Sequence, residues 1–93
     1  MTLDRIIAVV CKRFGLRREQ ILSADRHKSV ALARHLIVYF ARRMTDMSYT
    51  EIGLALERDH SSVQKGEARI VGEANSVRIA CYVSELKRDL TEP

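Results

Sequence analysis

A lone proline, Pro93, closes this 93-residue chain, and that placement decides more about the fold than any other property of the sequence. Proline removes a backbone donor and clashes with the preceding helical turn, so a chain without an interior proline leaves every segment free to be helical. Four glycines, at positions 15, 53, 66 and 72, are the remaining breakers, and no Asn-Gly or Asp-Gly pair marks a hairpin. Apolar residues return at intervals of three and four rather than alternating with polar ones. The expectation is an all-α, multi-helix single domain spanning 1–93.

The periodicity places the helices. Thr2 caps a first helix from Leu3 to about Phe14, with Ile6, Ile7, Val10 and Phe14 inward and Gly15 at its end. A short turn over Arg17–Leu22 points Ile21 and Leu22 inward, and Ser23–Lys28 reads as a polar, partly basic loop. The longest helix runs from about Ser29 to Arg43 on Val30, Ala33, Ile37, Phe40 and Met44, broadened by Leu36. Ser48-Tyr49-Thr50-Glu51 is a capping box that opens a helix of two turns ending at Leu56. After the polar turn Glu57–Ser62, Asp59 caps a helix with Val63, Ile70 and Ala74 inward, broken at Gly72 or Asn75. A last helix carries Ile79, Val83, Leu86 and Leu90.

Composition narrows the function. Hydrophobic content of 46% with 30% charged residues belongs to a folded domain, not a disordered one. Five aromatics and no Trp argue against a stacking platform for single-stranded nucleic acid. Sixteen Lys and Arg against twelve Asp and Glu give +4, and no acidic residue falls between Arg26 and Arg43. Such a balance suits a polyanionic partner. Cys11 and Cys81, seventy positions apart, are expected as two buried reduced thiols, and His27 and His35 as solvent-facing. The N-terminus has no secretory pattern and no apolar run reaches the ~18 residues of a membrane span, so a cytoplasmic, nucleoid-associated protein is expected. No nucleophile–base couple, metal spacing or phosphate loop is present, so no enzyme, cofactor or metal is expected.

Two short helices joined by a tight polar turn after Leu56 make a helix-turn-helix candidate over Ser48–Arg69. In such a unit the first helix braces on phosphates and the second presents its N-terminal turn to the major groove. That turn is Arg58-Asp59-His60-Ser61-Ser62, with Lys65 and Arg69 following on the outer face and Lys28 nearby.

Arg58-Asp59-His60-Ser61-Ser62-Val63 resembles the Arg-Asp-His-Thr-Thr-Val signature of the C-terminal DNA-binding domain of the bacterial replication initiator DnaA. The likeness extends to Ser48–Gly53, to Ser29–Arg34, and to Ile79, Val83, Ser84, Leu86 and Leu90. The resemblance implies a Trp-repressor-type helical domain that binds a DnaA-box-like duplex. It implies Arg34 as a basic-loop arginine in the minor groove, Asp59 at a cytosine, His60 at thymine methyls and Ser61 at bases. Arg58, Ser62, Thr50 and Arg69 match phosphate-contacting or motif-supporting positions.

The departures bear on target choice. Leu32-Ala33-Arg34 replaces Arg-Pro-Arg, Thr50 stands for a proline, Ser61-Ser62 lacks two methyls, and Lys65 replaces a histidine. The turn before Arg58 is one residue shorter. The family's initiators melt DNA through an ATPase module that this sequence does not contain. Two functions compete: a sequence-specific duplex binder in origin or transcriptional control, and an interaction module that keeps the fold and modulates a replication initiator. Asp59, His60 and Arg34 favour the first.

Overall fold

Thr2 Oγ1 accepts from the Arg5 amide at 3.2 Å and opens α1 (Leu3–Phe14), which Gly15 closes in the left-handed region at φ 67°. Gly15 adopts that conformation without the Cβ penalty other residues incur. α2 (Arg18–Leu22), α3 (Lys28–Met44), α4 (Tyr49–Leu56), α5 (His60–Gly72) and α6 (Val77–Thr91) follow. These elements come from a computed structural model that describes residues 1–92, and there is no strand among them. The all-α expectation holds.

α3 is the central element, packed against α1, α2, α4 and α5, while α6 lies on α1. Being covered on several sides, it buries Val38 and Ala41 as well as the expected Val30, Ala33, Leu36, Ile37 and Phe40. Ile6, Ile7 and Val10 of α1, Ile21 of α2, Ile52 and Leu56 of α4, Val63 and Ile70 of α5 and Leu86 of α6 complete one core.

Four sequence expectations are corrected. α3 begins at Lys28 and runs to Met44, one residue longer at each end than expected. α5 stops at Gly72 with Glu73 capping it, so Ala74 is exposed rather than inward. Cys11 is buried but Cys81 is exposed; two residues beyond Ile79 is about 200° around a helix, away from the Ile79–Leu86–Leu90 stripe. His35 is half-buried rather than solvent-facing, because α5 lies directly on it. A Cβ on Gly66 would stand 2.9 Å from the His35 ring, so only glycine permits that approach.

Candidate nucleic-acid interface

The helix-turn-helix is built from two capped helices and one constrained turn. Ser48 and Glu51 satisfy each other's backbone at 3.1 and 3.0 Å, as the capping box requires. Thr50 is exposed in the first turn of α4. Those first amides lack intrahelical partners, which makes a helix start favourable for phosphate. The turn closes through an Arg58 N–H donated to the Gly53 carbonyl at 2.8 Å. A Cβ on Gly53 would lie 2.5 Å from the Arg58 carbonyl oxygen, so glycine is what lets the turn fold this tightly. Glu57 takes the left-handed conformation at φ 57°, as the cap of α4. It is the one described non-glycine with positive φ.

Asp59 Oδ1 accepts from the Ser62 amide at 2.7 Å and caps α5. That backbone hydrogen bond, with smaller help from His60 and Lys65, holds its carboxyl below the usual aspartate range. Its second oxygen makes no hydrogen bond among the described residues. His60, Ser61, Ser62 and Lys65 are all exposed and carry no side-chain hydrogen bond or ion pair among the described residues. Arg69, also exposed, pairs with Glu73 at 3.2 Å. Lys28 is exposed in the first turn of α3.

Arg34 and Arg58 stand differently from the rest. The structure places Arg34 within α3, not in the loop, and turns its guanidinium back on the chain. Nε donates to Ile21 O at 2.7 Å, Nη1 to Asp25 O at 2.7 Å, and Nη2 to Gln20 O and Ser23 O at 3.0 and 2.7 Å. A guanidinium has five donors, so four are committed to the carbonyls that end α2 and shape the following loop. Arg58 donates to the same Ser23 carbonyl and, at 3.1 Å, to Glu57 O. Partial burial and the neighbouring Arg58 push the Arg34 guanidinium below its ordinary value. Together the two arginines fasten the 23–27 loop to the helix-turn-helix. What they hold out to solvent is Arg26, exposed and free of hydrogen bonds among the described residues, a cation the sequence reading did not single out. The Asp25 carboxylate also steadies this loop, accepting from the His27 amide at 2.9 Å.

Two cations of the acid-free stretch serve the scaffold. Arg43 bridges α3 to Glu67 of α5 at 3.0 Å and stacks 3.8 Å from the Tyr39 ring centroid. Arg42 donates to Met47 O at 2.8 Å and covers Tyr49 at 4.2 Å. Tyr49 in turn donates its hydroxyl to Glu67, tying the start of α4 to α5. Arg26, Lys28, Lys65 and Arg69 are exposed in the loop before α3, at the start of α3 and along α5, while Arg5, Lys12, Arg13, Arg17, Arg18, Lys87 and Arg88 are exposed on and beside α1, α2 and α6.

The family model described as the bacterial dnaA protein helix-turn-helix matches residues 3–70. The chromosomal replication initiator protein DnaA of Oleidesulfovibrio alaskensis is 37% identical over 75 residues, covering 81% of this chain and 16% of its own length. DnaA of Helicobacter pylori (strain 26695) is 34% identical over 95 residues, covering 98% of this chain and 21% of its own. DnaA of Lachnoclostridium phytofermentans is 39% identical over 67 residues, with 71% and 15% covered. The chain thus spans about a fifth or less of these relatives. With the family match over most of its length, and a capped pair of helices joined through Gly53 and Arg58, this chain belongs to the bacterial DnaA helix-turn-helix family.

Proposed function

We propose that this domain binds duplex DNA sequence-specifically, at a DnaA-box-like site, with the first turn of α5 in the major groove. The observation that carries this reading is that turn: Asp59, His60, Ser61 and Ser62 stand exposed on a capped helix start, with Lys65 exposed and without an ion pair among the described residues on the next turn of the same helix. Short polar side chains approach base edges closely, and a carboxylate accepts from cytosine N4. Thr50 at the start of α4, Lys65 and Arg69 supply backbone contacts.

In this reading the minor-groove contact passes from Arg34 to Arg26. Arg34 and Arg58 support the interface from behind, because their donors already serve backbone carbonyls. The domain contributes binding, in origin or transcriptional control, and no nucleotide hydrolysis: its sequence holds no phosphate-loop motif.

Asp59→Asn tests the assignment, since it keeps a capping oxygen while changing the charge offered to a base. The variant should melt as the parent does and lose discrimination between a DnaA box and single-base variants. His60→Ala should do the same at neighbouring positions. If Asp59→Asn retains the parent's full preference and Asp59→Ala only lowers the melting temperature, Asp59 is a cap alone.

A further inference from the structure

Beside the recognition turn lies a second concavity of about 330 Å³ where three helices meet. Lys28 enters it from the start of α3, Arg69 and Glu73 from the last turns of α5, and Arg78 from the first turn of α6. Arg78 is exposed, its guanidinium 5.6 Å from the Tyr82 ring centroid, and neither it nor Lys28 forms an ion pair among the described residues. Arg69 is the one cation of the three with a carboxylate partner, Glu73 at 3.2 Å. Unpaired cations from separate elements converging on one hollow repel one another, which an anion seated there would relieve.

The hollow continues the surface described above. His35 and Ala31 line both it and the adjoining concavity that holds Arg34, Arg58 and Ser62. Ser62 and Arg69, seven residues apart, lie on one flank of α5. If α5 occupies the major groove and the 23–27 loop the neighbouring minor groove, the strand between those grooves must cross the start of α3. Lys28 stands there, and Arg69 and Arg78 line the same hollow. We propose that Lys28, Arg69 and Arg78 form a seat for a backbone phosphate of that strand, with Arg78 an additional DNA-contacting residue supplied by α6. Glu73 is the internal counterion that the phosphate displaces from Arg69. This inference rests on the duplex-binding reading of the preceding section.

The test is a salt titration of binding to a box-containing duplex and a random duplex, for the parent, Arg78→Ala, Arg78→Lys, Glu73→Gln and, as a charge control remote from the hollow, Arg88→Ala. One phosphate contact contributes a slope of about 0.9 in log affinity against log salt, or about 3-fold over a fourfold change in salt. Arg78→Ala should therefore weaken binding to both duplexes, with a deficit that shrinks about 3-fold between about 50 and 200 mM salt. Arg78→Lys should keep the parent slope, since a point charge serves a phosphate. Glu73→Gln should tighten binding and Arg88→Ala should leave it unchanged. A parent slope in Arg78→Ala, or an equal loss in Arg88→Ala, overturns the proposal while leaving duplex binding intact. Failure of the parent to bind any duplex would instead remove the reading on which it rests.

Discussion

Replacing Arg34 by alanine removes four hydrogen bonds, to the carbonyls of Gln20, Ile21, Ser23 and Asp25. A hydrogen bond contributes a net of about 0.5–1.5 kcal/mol, and one involving a charged group about 1.5–3 kcal/mol. Arg34 is only partly buried, so freed carbonyls regain some water; about 0.5–1 kcal/mol apiece is appropriate, or about 3 kcal/mol together. For a domain of this size that lowers Tm by about 12–24 °C. Arg34→Lys should recover less than half, because an ammonium cannot reach four carbonyls spread around a planar fork. The assay is thermal unfolding followed by far-UV circular dichroism, with amide exchange of residues 23–27 read by NMR. Loss of the anchor should speed exchange there before it affects the Ile37 or Leu86 amides. If Arg34→Ala melts within about 3 °C of the parent (less than 1 kcal/mol) and the loop amides are unchanged, the anchoring role is refuted, and a direct DNA contact becomes the better account of this arginine.

Gly53→Ala should destabilise by about 1–3 kcal/mol, the usual cost of overpacking, because the new methyl meets the Arg58 carbonyl oxygen at 2.5 Å; Gly72→Ala, with nothing within 4 Å, should be neutral or stabilising in the same melts. Glu57→Gly should raise stability by about 1 kcal/mol, since a left-handed conformation costs a side chain about 1–2 kcal/mol; a lower melting temperature would show that the Glu57 side chain has a compensating contact. Stability should also fall on mild acidification: burial holds His35 below the ordinary histidine value of 6.5, so the unfolded chain binds the extra proton first and the folded state weakens as pH drops from about 6.5 through the folded value. Urea melts of the parent and His35→Gln at pH 7.5 and 5.5 check this, and an equal pH response in both would contradict it.

The helix count, the caps at Thr2, Ser48 and Asp59, and the polar turn before α5 were legible because each depends on local chemistry. A serine three residues before a glutamate, or an aspartate three before a serine amide, carries its own geometry. What escaped depends on partners distant in sequence. Nothing near Arg34 announces that the end of α2 and the following loop, nine to fourteen residues away, take its donors; the family resemblance alone assigns it to a minor groove. His35 lies off the main apolar face of α3, and its burial follows from α5 approaching through Gly66. The exposure of Cys81, by contrast, was available from the helical period, being off the stripe of Ile79, Leu86 and Leu90. Glu57 lies between: the shortened turn was visible, but not that a glutamate would accept the left-handed position.

Equilibrium binding of the parent to a DnaA-box duplex and to a scrambled duplex of equal length, across a range of salt concentrations, tests the central claim most directly. With Arg26 and Lys28 exposed at and before the start of α3 and Lys65 and Arg69 exposed along α5, about four to six phosphates are neutralised in the proposed complex, and log affinity should fall with log salt at a slope of about −4 to −5 on both duplexes. The box should retain an advantage at every salt concentration, because the base-edge contacts proposed for Asp59, His60 and Ser61 would not depend on counterion release. A flat salt response, or no binding at low salt, would contradict duplex recognition and leave a protein-interaction module in its place.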